Sequence, residues 1–426
     1  MNTPDFALIR FSCPAIPDDI SEIHVAVTDL LKGCQLSNFG KYVTQLENRL
    51  AELLGVKYVR TVPNATTGLM MVASTLPQGS EVLVPSFTFP ATVHALVHMQ
   101  LQPRFVDADL TTFNISHEDA AAKITAKTSA ILAVHVFGNP CRIAELEALA
   151  QRHNLKLFFD AAAATGSEYH GRLLGANGDA EVFSLSGTKV VSAGEGGFIA
   201  TNDEELAQRI DWLRNYGYNE DRTDCRVVGF NGKLSELPAI LALKSLDYMP
   251  ENLKHRRKLA EQYQELLNEV EGISFQMPTE GALPNYFTMA LQIDPDQFGC
   301  SAEVIQVYLD RLNIETKRYF APVLHRTSAY GAFVTNDLPH SEQLSNRSLC
   351  LPLHTRLQEE HVAFICEALI ALQEKLRRGS QSYYRNEAAR LGASVSFAKP
   401  VAHNVARSWA TPLAAAQTFE DELATT

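Results

Sequence analysis

Apolar residues along this chain come in short, nearly unbroken runs rather than in alternation. In order they are Lys57–Val62, Glu81–Pro85, Arg104–Val106, Ala130–Phe137, Lys156–Asp160, Val182–Leu185 and Gly197–Ala200. Runs of this kind read as strands covered on both faces. Between most of them the apolar spacing turns helical, as over Thr67–Leu76, Thr92–Met99 and Cys141–His153. The alternation predicts an α/β fold, a largely parallel sheet with helices on both faces. Ahead of it, residues 1–40 carry few periodic signals, and Asn38-Phe39-Gly40 reads as a loop before a helix over Tyr42–Leu54.

From Leu234 to Val270 the pattern is helical, and the dense polar stretch Glu251–Glu265 predicts a bridge between two domains. A strand over Tyr286–Ile293, a helix over Ala302–Leu312, the segment Arg318–His325 and a closing helix over His361–Leu376 then predict a second, smaller α+β domain. The expected division is a large domain at 1–250, a small one at 251–378 and a tail at 379–426. The tail is rich in Gly, Ser, Ala and Thr, the composition of a disordered segment. No internal repeat of solenoid period is present.

Composition narrows the class. A chain of 426 residues with 46% hydrophobic content can build two cores. Its net charge of −12 argues against a nucleic-acid surface, which needs concentrated Lys and Arg. The seven cysteines are scattered and form no C-x-x-C pair, which favours reduced thiols. No apolar run is long enough to span a bilayer and no signal segment opens the chain, so a soluble, cytoplasmic protein with no membrane partner is expected.

The chemistry gathers around one lysine. Glu181-Val182-Phe183-Ser184-Leu185-Ser186-Gly187-Thr188-Lys189 runs from a strand into small polar residues, and Gly194-Glu195-Gly196-Gly197 follows. That pattern holds an amine at a strand end in a tight loop. Upstream, Lys156-Leu157-Phe158-Phe159-Asp160 ends an apolar strand in a carboxylate, and in a parallel sheet both groups would sit where ligands bind. A Schiff-base lysine and a carboxylate facing a pyridinium nitrogen are what a pyridoxal 5'-phosphate enzyme needs. Read alone, Asp160 could equally cap an Ala-rich helix, and a single lysine could be a solvated surface charge. Pro63-Asn64-Ala65-Thr66-Thr67-Gly68-Leu69 opens a helix after a strand, so the amides of Ala65 and Thr66, with the Thr66 hydroxyl, could hold a phosphate; an ordinary N-cap reads the same way.

These segments, with Gly229-Phe230-Asn231-Gly232-Lys233-Leu234-Ser235-Glu236-Leu237, resemble the DegT/StrS family of nucleotide-sugar aminotransferases, over about Phe11 to Gln373. The resemblance implies a fold-type I pyridoxal-phosphate-dependent transferase, with a mostly parallel sheet between helices in the large domain. It implies Lys189 as the residue that holds the cofactor and then moves protons, and Asp160 on the pyridine nitrogen. Ala65, Thr66 and Ser184 would hold the phosphate and Phe89, in Pro85-Ser86-Phe87-Thr88-Phe89, would stack on the ring. Asn231 would reach the partner's phosphate across a homodimer with shared active sites, although Asn-Gly also suits a plain turn. Arg318 and His325 would face a nucleotide-sugar substrate. The donor would be L-glutamate and the acceptor a dTDP-4-keto-6-deoxyhexose, with a cyclitol ketone or a catalytically silent regulatory protein as alternatives. One departure stands out: where the family commonly has Gln or His, this chain has Ala163.

Two further patterns are set aside. His94 and His98 have helical spacing but no third ligand, and Gly175–Gly178 is too short for a dinucleotide fingerprint, so neither a metal nor NAD is expected.

Overall fold

Seven strands form the sheet on which everything else rests. In the computed structural model, which describes residues 8–334 and 336–377, β1 (Tyr58–Val62), β2 (Glu81–Pro85), β3 (Gln102–Val106), β4 (Thr128–Val134) and β5 (Lys156–Asp160) come first. Two short strands, β6 (Glu168–Tyr169) and β7 (Arg172–Leu173), precede β8 (Ala180–Ser184) and β9 (Gly197–Thr201). The sheet order is β1-β9-β8-β5-β4-β2-β3. Neighbours pair in parallel except β9, which runs antiparallel to both β1 and β8. The tail expected at 379–426 lies outside the described residues.

Burial explains the unbroken apolar runs. Leu83, Ile131, Ala133, Leu157, Phe159 and Phe183 join one core cluster, while Val82, Val84, Leu132, Phe158, Val182 and Ile199 join another. Successive residues of a strand face opposite sides, so each face has its own core. Each fully buried Phe, Leu or Val contributes roughly 1.5–3 kcal/mol relative to exposure. The helix Ala65–Ala73 packs so tightly that a Cβ on Gly68 would come within 2.9 Å of Val182 Cγ1. Only glycine allows that approach.

Further along lie β10 (Ile273–Phe275), β11 (Ala282–Leu283), β12 (Met289–Ile293) and β13 (Ser348–Leu351). The antiparallel sheet β10-β12-β13 is flanked by the helices Ala302–Asp310 and Glu359–Arg377, and β11 pairs with β6. The helical stretch read from Leu234 to Val270 is two helices, Glu236–Asp247 and Met249–Leu267, with Pro250 in the first turn of the second. Proline is tolerated there because first-turn amides have no intrahelical acceptor.

The structure departs from the sequence reading in several places. Residues 21–33 form a helix that the pattern did not signal, because it buries only Leu30. The run Ala130–Phe137 leaves the sheet after Val134 and ends in a turn over Val136–Gly138. The strand expected from Tyr286 starts at Met289, since Tyr286 has a φ of 50°. Among the described residues no helix is long and apolar enough to cross a membrane.

Candidate active site

Asp160 closes β5 and is 5% exposed. Its Oδ2 accepts a hydrogen bond from Thr92 Oγ1 at 2.7 Å and its Oδ1 accepts one from the Ala162 amide at 3.1 Å. No helix follows it, only turns, so the helix-capping alternative does not apply. Burial pushes its pKa up, against the pull of the Thr92 and Ala162 bonds and then of the charges of Lys189 and His135. A carboxylate in that setting stays ionised best with a cation opposite it.

Lys189 supplies an amine on the same side. Its loop joins β8 to β9 as a hairpin, turned by a bond from the Lys189 amide to the Ser186 carbonyl at 3.0 Å. Among the described residues the amine makes no hydrogen bond or ion pair, and it lies 4.4 Å from the centroid of the Phe287 ring. Desolvation lowers the ammonium to about 8, with Asp160 pulling the other way. A lysine so placed has a substantial neutral, nucleophilic fraction near neutral pH.

Strand register carries the site toward the helix Ala65–Ala73. Asp160 pairs with Val182, Ser184 with Gly197, and Gly197 with Val62. A Cβ on Gly197 would stand 2.8 Å from the Ala65 amide nitrogen and 2.7 Å from the Phe183 carbonyl, so β9 starts flush against the helix start only because it starts with glycine. Asn64 caps the Thr67 amide through its side chain at 2.8 Å. The amides of Ala65 and Thr66 are thus the first-turn donors left for an anion.

Phe89 is 59% exposed and caps the helix Pro90–His98, one turn before Thr92, whereas Phe87 is buried against Phe113, Phe137 and Phe320. Asn231 is exposed, bridged to Asn215, in a segment held to the body by Gly232 N–H on the Arg214 carbonyl; its contacts do not join it to Lys189 or Asp160. Arg318 donates to the carbonyls of Ser345 and Asn346, both at 3.1 Å. His325 is 3% exposed, with Nδ1 on Ser86 Oγ at 2.6 Å and Nε2 on Glu342 at 3.1 Å. Burial lowers its pKa and Glu342 opposes that. The Ser86–His325–Glu342 line looks like a hydrolytic triad, but Ser86 is fully buried and serves to pin the end of β2 to this segment. His94 bonds the Tyr330 hydroxyl, and among the described residues no group of three His, Cys, Asp or Glu is arranged to hold a metal.

Sequence reasoning missed Thr92 and Phe287. Thr92 read as one residue of a helix, and nothing local marks a hydroxyl that meets a carboxylate 68 positions away. At Ala163 the backbone carbonyl accepts from Asn285 Nδ2 at 2.8 Å, so this loop is braced from the C-terminal half.

The set suits a molecule with an aldehyde for the amine, a phosphate for the helix start and a basic ring nitrogen for the carboxylate. The profile of the DegT/DnrJ/EryC1/StrS aminotransferase family matches residues 17–370. The dTDP-4-amino-4,6-dideoxy-D-glucose transaminase of Shigella dysenteriae is 35% identical over 336 residues, 79% of this chain and 91% of that one. The GDP-perosamine synthase of Escherichia coli O157:H7 is 31% identical over 346 residues, 80% of this chain and 93% of that one. The crystal structure of DesI in the presence of its TDP-sugar product has a TM-score of 0.83 at 34% identity, covering 90% of this chain and 97% of that chain.

Proposed function

The chain belongs to the DegT/DnrJ/EryC1/StrS aminotransferase family, is a pyridoxal-phosphate-dependent nucleotide-sugar aminotransferase, and from that premise we propose that it moves the amino group of L-glutamate onto C4 of a dTDP-linked 4-keto-6-deoxyhexose. The observation that carries the reading is the Lys189 amine, which has no hydrogen bond or ion pair among the described residues and lies 4.4 Å from the Phe287 ring centroid, in a site shared with the buried carboxylate of Asp160. The dTDP choice is supported by the relative at 35% identity and by DesI, both named for dTDP or TDP sugars, against a GDP-named relative at 31%.

When bound, pyridoxal phosphate supplies an electron sink for the carbon that loses its proton. Lys189 would be the residue that anchors it, and its Nζ would take the proton from the donor Cα and, in the second half, deliver one to the sugar carbon that receives nitrogen. A pKa of about 8 suits both directions near neutral pH. Asp160 holds the proton on the ring nitrogen. The amides of Ala65 and Thr66 and the hydroxyl of Ser184 would bind the phosphate, and Phe89, exposed in this structure, would cover the ring. Arg318 and His325 are already engaged within the chain, so they act on the nucleotide sugar by shaping the 318–325 segment.

The acceptor is tested by incubating the loaded enzyme and glutamate with dTDP-4-keto-6-deoxyglucose, its GDP counterpart and a free keto-cyclitol, and following aminated product by mass spectrometry. We expect kcat/KM for the dTDP sugar to exceed the others by at least about tenfold; a GDP or cyclitol preference overturns the acceptor. Phosphate contact by the partner subunit's Asn231 across a two-fold dimer is tested by mixing Lys189→Ala and Asn231→Ala chains. Random pairing then restores activity toward about a quarter of wild type, because half the dimers carry one intact site. No recovery on mixing sinks the shared site.

A further inference from the structure

The Asp160 carboxylate is the end of a chain of hydroxyls. Thr92 Oγ1 donates its one proton to Oδ2, so the 3.0 Å contact between Thr92 Oγ1 and Thr88 Oγ1 must be donated by Thr88. Both threonines are buried, Thr88 at 1% and Thr92 at 0% exposure. Thr88 sits just past β2, and Thr92 lies four residues on in the first turn of the helix Pro90–His98. The direction of the chain is fixed: a carboxylate can only accept, and each hydroxyl has a single proton to give.

We propose that Thr92, oriented by Thr88, is a positioning residue that fixes the rotamer and the charge of the Asp160 carboxylate toward the cofactor ring nitrogen. This rests on the assignment of Asp160 given under Proposed function. An ionised acceptor is held more strongly by a hydroxyl than a protonated one, so the chain favours the anion in a site whose burial disfavours it. The other titratable groups facing Asp160 are Lys189, from the loop after β8, and His135, at the end of β4. Behind them Glu181 of β8 faces His135 at 3.6 Å, with the Cys141 thiol on the Val134 carbonyl.

The test uses Thr92→Val, Thr92→Ser and Thr88→Val with the double valine variant. In the loaded enzyme, Thr92→Val lowers the glutamate half-reaction rate about 10- to 100-fold with little change in the glutamate KM, and Thr92→Ser stays within about threefold of wild type. Thr88→Val has a smaller effect, and the double variant is no worse than Thr92→Val, because both act through one hydrogen bond. A second readout needs no cofactor. The folded pKa of Asp160 is raised above the unfolded value, so its contribution to stability is present in acid and is lost as pH rises through the folded pKa. Losing the Thr92 bond raises that pKa further, so the Tm gap between wild-type and Thr92→Val apo-protein widens from about pH 4 to about pH 7. A gap independent of pH, a wild-type half-reaction rate in Thr92→Val, or additive effects of the two valines overturns the proposal. Should Thr92→Val fail to fold, Thr88→Val is expected to show the same pH-dependent gap at smaller size, and a flat gap there overturns it. A wild-type enzyme inert to every amino donor would instead fail the proposed function, while the apo-protein measurement would still decide on Thr92.

Discussion

Lys189→Ala is expected to lower transamination by at least about a thousandfold, since it removes the group that both anchors the cofactor and carries the proton. Wild-type protein with pyridoxal phosphate should show an absorbance band near the visible edge that bleaches with glutamate; the variant should show no bleaching. Retention of a tenth of the wild-type rate would end the assignment. The same position makes a second, opposite forecast for the apo-protein. The folded pKa of about 8 lies below the ordinary 10.5, so burying this ammonium works against folding at neutral pH. For a base depressed in this way, the contribution to stability is present above the unfolded value and is lost as pH falls through about 8. Lys189→Met, which keeps the stem against Phe287, is therefore expected to raise apo-protein stability at pH 7 by on the order of 1–3 kcal/mol, discounted for the part of the side chain that water reaches. Chemical denaturation at pH 7 and pH 10.5 would check it: the gain should shrink at the higher pH.

Asp160→Asn is the other large effect. The amide keeps the shape, with its oxygen on the Ala162 amide and its NH2 donating to a reoriented Thr92 hydroxyl, but it carries no charge to hold a proton on the ring nitrogen. Single-turnover reaction with glutamate should slow by about 10² to 10³, with the apo-protein as stable as wild type at neutral pH because a neutral side chain suffers less from burial. A rate within tenfold of wild type would show that the carboxylate is not the partner of the ring. The hydroxyl chain through Thr92 and Thr88 would then have no charge to support.

Those two residues were legible because each ends or follows an apolar run that burial alone demands. Lys156–Asp160 and Glu81–Pro85 match their strands residue for residue, since the middle of each is filled by apolar side chains covered on both faces. Groups brought together by the fold left no local mark. Gly40 precedes the helix Lys41–Leu54 without a side-chain cap, and the amides of Gly40, Tyr42 and Val43 are met by the buried carboxylate of Glu236 at 2.8, 2.8 and 3.2 Å. No window of sequence contains both ends of that contact. The resemblance puts Arg318 against a substrate, yet it lies on the carbonyls at the end of the helix Pro339–Arg347. The helix Ser21–Gly33 went unread for the converse reason, because a helix that buries one side chain shows no apolar stripe.

Strand order has a consequence for what the enzyme will accept. The helix start proposed to hold the phosphate follows β1 and the carboxylate closes β5, with β9 and β8 between them and the amine on the loop that joins those two. The interval between the two charged ends is therefore a count of strands, set by backbone hydrogen bonds that no side-chain change can stretch. A ligand is measured for length before it is tested for chemistry. One that kept the cofactor's charges but shortened the frame between them would satisfy either end, never both.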